Sequence, residues 1–121
     1  MPFSYNIEPD GLAVVVGTGE GDRQAWLATI FKLMSDQRFW QHMPILMDFT
    51  ALTSAPPPIY VSALADDVQA LLRGNRIAVI ATLPAVLALT NQVSLLTGER
   101  ISAFQSLVEG RDWLRKPTAE K

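Results

Sequence analysis

Short apolar runs alternate with helical patterns along nearly the whole chain, and that order constrains the fold more than any other feature. Phe3 to Ile7 reads as a strand, and Leu12 to Val16 (LAVVV) as a second. Between them Glu8-Pro9-Asp10-Gly11 makes a turn: proline presets φ at its second position and glycine supplies the exit conformation. A helix is expected from Asp22, its N-cap, to about Ser35. Ile45 to Asp48 is a third strand with Pro44 at its mouth, and residues 59 to 73 are helical with a stop at Gly74. Arg76 to Ala81 (RIAVIA) is a fourth strand, Pro84 opens a helix ending near Gly98, and Ile101 to Phe104 is a fifth strand. Ser106 and Glu109 form a capping box at the head of a last helix through Trp113 and Leu114. The order is β-β-α-β-α-β-α-β-α. After an opening hairpin, strands that alternate with helices must pair in parallel through right-handed crossovers. The expected class is α/β: one mixed sheet with an N-terminal hairpin, parallel later strands and flanking helices. A single domain is expected over 1–116, followed by a polar tail, 117–121.

A chain of 121 residues, 49% of them apolar, buries enough surface for an ordinary core. It contains no cysteine, which excludes disulfides, thiol catalysis and Cys-based zinc sites. Ten Lys and Arg stand against 12 Asp and Glu. No basic cluster exceeds the Arg115-Lys116 pair, so no nucleic-acid partner is expected. The opening MPFSYNIEPD has neither a basic segment nor an apolar run of the secretory kind, and no apolar run approaches the ~18 residues of a membrane span. These features describe a soluble, cytoplasmic protein.

Chemistry-bearing patterns are few. Gly17-Thr18-Gly19-Glu20-Gly21 sits between a strand and a helix, where a dinucleotide fingerprint belongs. Its spacing is G-x-G-x-G rather than G-x-G-x-x-G, and Asp48 lies well beyond the roughly 20-residue distance expected of the ribose-binding acid. Glu20 and Asp22 also put negative charge where a pyrophosphate would sit. The stretch therefore reads as a flexible turn. His42 is the one histidine and lies in a loop before a strand, which suits exposure rather than metal binding. Asp66 and Asp67 are adjacent on a helix, point about 100° apart and make no carboxylate pair. No enzyme, cofactor or metal site is expected.

The stretch DFTALTSAPPP, residues 48–58, is the most unusual. Each proline disfavours helix for the residue before it, so Ala55, Pro56 and Pro57 should be extended, with Pro58 as the first helical residue. Asp48, Thr50, Thr53, Ser54, Pro56 and Pro58 then form a stiff rim, a candidate recognition or phosphorylation loop. A second candidate surface lies on the helix after Pro84. At 100° per residue, Val86, Leu89, Val93 and Leu96 share one face and should cover the sheet. Leu87 and Leu95 fall outside it with Asn91 between them. Leu27 and Phe31 likewise widen the apolar arc of the first helix beyond the ~100° a surface helix needs. These five residues are the candidate interface of a homodimer.

Three pieces of the chain carry a family resemblance. One is the strand closing on Asp48 in ILMDFT, and another is RIAVIA with its helical continuation. The third is Phe104-Gln105-Ser106-Leu107-Val108-Glu109-Gly110-Arg111-Asp112-Trp113-Leu114, which resembles a closing F-x-x-x-x-x-A-x-x-WL signature. With the element order, they resemble STAS domains, the family of sulfate-transporter cytoplasmic domains and anti-sigma-factor antagonists. The nearer likeness is to the SpoIIAA-like (STAS/SEC14-like) group of small bacterial proteins, over almost the whole chain. The resemblance implies a non-catalytic regulatory or protein-interaction module. Its SEC14-like side implies the alternative, a carrier of a small apolar ligand such as a lipid. In anti-sigma antagonists a partner kinase phosphorylates a serine after the third strand. The matching neighbourhood here holds Thr53 and Ser54, with prolines in place of glycine and no D-S-S-G or D-S-x-G. Gly110 replaces the signature's alanine, consistent with close packing on the sheet at ~1 kcal/mol in helix propensity.

Overall fold

The computed structural model describes residues 2–98 and 100–116, so the expected tail, 117–121, lies outside the described residues. Its elements are β1 (Phe3–Ile7), β2 (Ala13–Gly19), α1 (Arg23–Ser35), β3 (Ile45–Leu52), α2 (Val61–Leu71), β4 (Ile77–Ile80), α3 (Pro84–Leu96), β5 (Ile101–Phe104) and α4 (Leu107–Arg115). A 3₁₀ turn, Pro58–Tyr60, leads into α2. The strands lie in sequence order, β1-β2-β3-β4-β5. The first pair is antiparallel and the rest are parallel.

Right-handed crossovers in a sheet ordered by sequence must leave their helices on one face. α1, α2 and α3 accordingly share one core. Trp26, Ile30 and Leu33 of α1, Leu64 and Val68 of α2, and Val86 and Val93 of α3 pack there against Val15, Met47, Val79 and Ile101. α4 is no crossover, and it covers the other face. Leu12, Leu46 and Ile80 are buried on that side, with Phe104 and Leu114 against them. β4 lies between the two cores and is buried along its whole length, as its unbroken IAVI run requires.

Local chemistry sets the ends. Gly11, at φ 93°, closes the hairpin turn and donates its N–H to Glu8 O at 3.0 Å. Asp22 caps α1 by accepting from Gln24 N at 3.2 Å, and Ser106 caps α4 by accepting from Glu109 N at 3.1 Å. Arg111 of α4 donates twice to Glu8, at 3.0 and 2.8 Å, fastening α4 to the hairpin turn. Arg76 lies 3.9 Å over the Trp113 ring, which also packs on Phe104. A Cβ on Gly110 would overlap the Ile80 δ-methyl, so glycine lets α4 sit close to β4.

Four expectations need correction. Asp48 does not end the third strand, which runs on to Leu52. Gly17 to Gly19 is no flexible turn but the end of β2, where Thr18 pairs with Ala51 and Gly19 with Leu52. A bulge lies between Val16 and Thr18 in this pairing, and it places one extra residue on β3. That residue resets the alternation, so that Leu52 returns to the core face occupied by Met47. Gly17 is needed there because Phe3 and Phe49 close over it edge to face, and a Cβ would meet the Phe3 ring at 2.7 Å. Third, α2 stops at Leu71, short of Gly74, because Leu72 leaves the helical region at φ −124°, ψ 37°, and its carbonyl then accepts from Asn75 N at 3.1 Å in a turn. Fourth, the faces of α3 differ from the plotted ones. Leu96 is half exposed, Leu87 packs on the core, and Thr90 takes an inward position. Thr90 Oγ1 donates to Val86 O at 2.8 Å, so its polarity is satisfied within the helix.

Candidate functional site

The rim lies at the carboxyl end of the parallel strands, where β3 gives way to the proline run. Its polar residues form two separate groups. Asp48, half buried, accepts from Thr50 N at 3.2 Å and from Thr50 Oγ1 at 2.7 Å. In register it stands beside Ile80, so it belongs to the α4 face. Further along, the loop is pinned to the end of β2. Thr53 N donates to Gly19 O at 2.7 Å, and Gly21 N lies 3.0 Å from Ser54 O and 3.3 Å from Ser54 Oγ. A Cβ on Gly21 would stand 2.5 Å from Ser54 O, so this loop needs glycine opposite it. Thr53 is exposed, Ser54 and Pro56 are half buried, and Pro58 is exposed as the first residue of the 3₁₀ turn. Asp48 and Thr50 therefore do not join Thr53 and Ser54 in one cluster.

Two features beside the rim were not foreseen. Ile59 is 85% exposed and Tyr60 42%, an apolar step directly behind the prolines. A large apolar pair at a helix start, ahead of the amphipathic pattern, is the signal that could have marked it. Arg23 of α1 holds Asp67 of α2 with two bonds, at 2.8 and 2.9 Å. Nothing in the spacing of those two residues announces the pair.

Beneath the rim the main core is incompletely filled. A cavity of about 90 Å³ lies between α1, α2, α3 and the sheet. Among its lining residues, Gly21, Asp22, Arg23, Phe49, Pro56 and Leu89 reach solvent, so it opens beside the rim.

The candidate interface is divided as well. Leu95 is 73% exposed and Phe31 54%, and Asn91 is exposed, whereas Leu27 and Leu87 rest on the core. Phe31 borders a shallow surface dimple with Tyr5 and Asp36. The Arg38 side chain holds the Asp36 carboxyl well below the usual carboxylate range, helped by the Arg38 backbone N–H and the Tyr5 hydroxyl. The bond to Asp36 in turn raises the Tyr5 hydroxyl above its ordinary value. His42 is exposed at φ 71°, with Nδ1 2.9 Å from Gly74 O. Among the described residues, no three metal-ligating side chains gather, and no helix is long and apolar enough to cross a membrane.

No protein-family model matches the chain, and no curated protein matches it. Solved structures do. An anti-sigma factor antagonist from Mycobacterium paratuberculosis superposes with a TM-score of 0.62 at 21% identity, over 94% of this chain and 95% of that one. The anti-sigma factor antagonist SpoIIAA, in its unphosphorylated form, gives 0.59 at 19% identity, over 93% and 96%. The chain has a STAS-like, SpoIIAA-like fold. An uncharacterised DUF3478 protein with a SpoIIAA-like fold, from Shewanella loihica, gives 0.58 at 15% identity, over 93% and 91%. At these identities the likeness is one of fold. Within the SpoIIAA-like fold here, Phe104, Trp113 and Leu114 of the closing signature all lie on the α4 side, with Gly110 as the point of closest approach to the sheet.

Proposed function

We propose that the protein is a non-catalytic, cytoplasmic regulatory module that binds a protein partner through the rim from Thr50 to Pro58 and the apolar step behind it. The observation that carries this reading is Ile59, 85% exposed on a 3₁₀ turn between three prolines and α2. A large apolar side chain held out on a stiff backbone loses little conformational entropy when a partner covers it. Tyr60 beside it is, with tryptophan and arginine, among the residue types enriched at the anchors of interfaces. The fold likeness to anti-sigma factor antagonists supports a regulatory role in general. Phosphorylation of Ser54 would add about two negative charges beside the rim and displace its hydroxyl from Gly21 N, while the backbone bonds from Gly21 N to Ser54 O and from Thr53 N to Gly19 O keep the loop in place for a partner to read the new charge.

The test is to isolate the partner from the source cells and measure its affinity for purified variants. Ile59→Asp is expected to weaken binding at least about tenfold, the scale of one interfacial anchor. Unchanged affinity would remove the rim from the interface. Unchanged affinity in both Thr53→Glu and Ser54→Glu would leave a constitutive surface rather than a switch. The alternative reading, carriage of a small apolar ligand, draws on the cavity beneath the rim. Native mass spectrometry of gently purified protein tests it through any mass retained beyond the chain.

A further inference from the structure

Fifteen or more side chains from three helices and the sheet surround the cavity beneath the rim, yet about 90 Å³ stays open among them. Its inner wall is apolar: Trp26, Met47, Val68, Val79, Val93 and Ile101 are all buried there. Thr90 is the one polar side chain in that buried wall, and its hydroxyl is already committed to Val86 O at 2.8 Å. Water needs two to four polar partners to stay in such a space, and this buried wall offers none. The polar groups at the mouth are engaged too. Asp22 caps α1, and Arg23 is held by Asp67. Neither is left to receive a charged group.

We infer that this cavity is a binding site for a compact, uncharged apolar molecule, an aromatic ring or a short branched hydrocarbon group, which enters beside the rim. The size sets the class. Sites for drug-sized ligands run to about 300–1,000 Å³, whereas an engineered dry cavity of about 150 Å³ takes up benzene or xenon. At about 90 Å³, with an opening at Gly21, Pro56 and Leu89, the site holds xenon whole or a ring whose outer edge remains at the mouth. A long acyl chain exceeds it. One side of the mouth is fixed, because the bonds from Gly21 N to Ser54 hold the Gly21 and Pro56 segments together. The inference rests on the carrier reading and not on the rim's partner.

The probes are xenon and then benzene, added to isotopically labelled protein while amide signals are followed by NMR. Saturable shifts are expected at Trp26, Val68 and Val93, with a dissociation constant for benzene on the order of 1 mM. Leu89→Trp, which places a ring across the mouth, should weaken binding at least about tenfold while leaving the circular dichroism spectrum unchanged. Val93→Phe fills the space from within and serves if the first variant fails to fold. Thermal unfolding of the wild type, which benzene should raise dose-dependently, reaches the same decision with no variant. The inference is overturned if neither probe gives saturable shifts, or if a folded Leu89→Trp protein binds benzene as the wild type does. The carrier reading fails separately: native mass spectrometry would then show no retained ligand even though xenon and benzene bind.

Discussion

Replacing Gly110 by alanine sets two opposing effects against each other. In a helix interior the change alone should stabilise by about 1 kcal/mol, because glycine has the greater freedom to lose. Here the new methyl would overlap the δ-methyl of Ile80, which is fully buried, with Ala78 Cβ 3.5 Å from the same point. Ile80 sits on a central strand under α4, and its δ-methyl can make room only by moving within fully buried surroundings. Overpacking of this kind costs about 1–3 kcal/mol, so Gly110→Ala should be destabilising by up to about 2 kcal/mol net. Ile80→Val removes the offending methyl and should cost about 0.5–1.5 kcal/mol on its own. In the double variant the alanine methyl occupies the vacated space and the helix gain survives, so stability should return close to the wild type. The coupling energy is then about 2 kcal/mol, within the range seen for residues in contact. Urea unfolding of all four proteins, followed by far-ultraviolet circular dichroism, measures it. Additive effects within about 0.5 kcal/mol, or a stabilised Gly110→Ala single variant, would refute the claim that contact with β4 requires glycine.

Two further outcomes follow from the same structure. Arg111 holds Glu8, and Arg38 holds Asp36, below their ordinary values. Stability from both carboxylates is therefore fully present above the unfolded value near 4 and lost as pH falls below it toward their lowered folded values; Tm should drop progressively as pH falls below about 4, and Glu8→Gln should flatten that acid limb. Leu95 is the most exposed apolar residue of the candidate interface, so Leu95→Asp should leave the circular dichroism spectrum unchanged and halve the mass by light scattering at tens of micromolar. A monomeric wild type, or an unchanged mass in the variant, would remove α3 from self-association.

β1 was legible through its alternation of inward and outward residues, and the last two strands through their cover on both faces. IAVI and ISAF are short and apolar because α4 covers one side of the sheet while α1 to α3 cover the other. β3 was half legible. Its first four residues fit the rule, whereas Phe49 to Leu52 pass through a bulge that breaks strict alternation. The glycines ending β2 misled for a similar reason: the pressure on Gly17 comes from two aromatic rings distant in sequence, and no local pattern records them. On α3 a hydropathy plot undervalues Thr90 and Thr97, whose hydroxyls bond back to Val86 and Val93 and let them face inward. Leu96 then ends up in solvent. For the rim, the prolines correctly announced a stiff extended segment ahead of a helix. They could not announce that Ser54 is tied to Gly21, or that a void lies beneath.

A sheet whose spatial order repeats its sequence order can be laid down as the chain emerges during synthesis. Each strand from β2 onward docks beside the one made just before it, so no arriving segment must be threaded between two already paired. The face under α4 is different. Leu12, Leu46 and Ile80 come from three successive strands, and their cover is the last helix to appear. Until Leu107 to Arg115 has left the ribosome, the nascent sheet carries a greasy, unroofed side. α4 therefore closes this face of the sheet, and a chain released before it would leave Leu12, Leu46 and Ile80 bare and prone to clump.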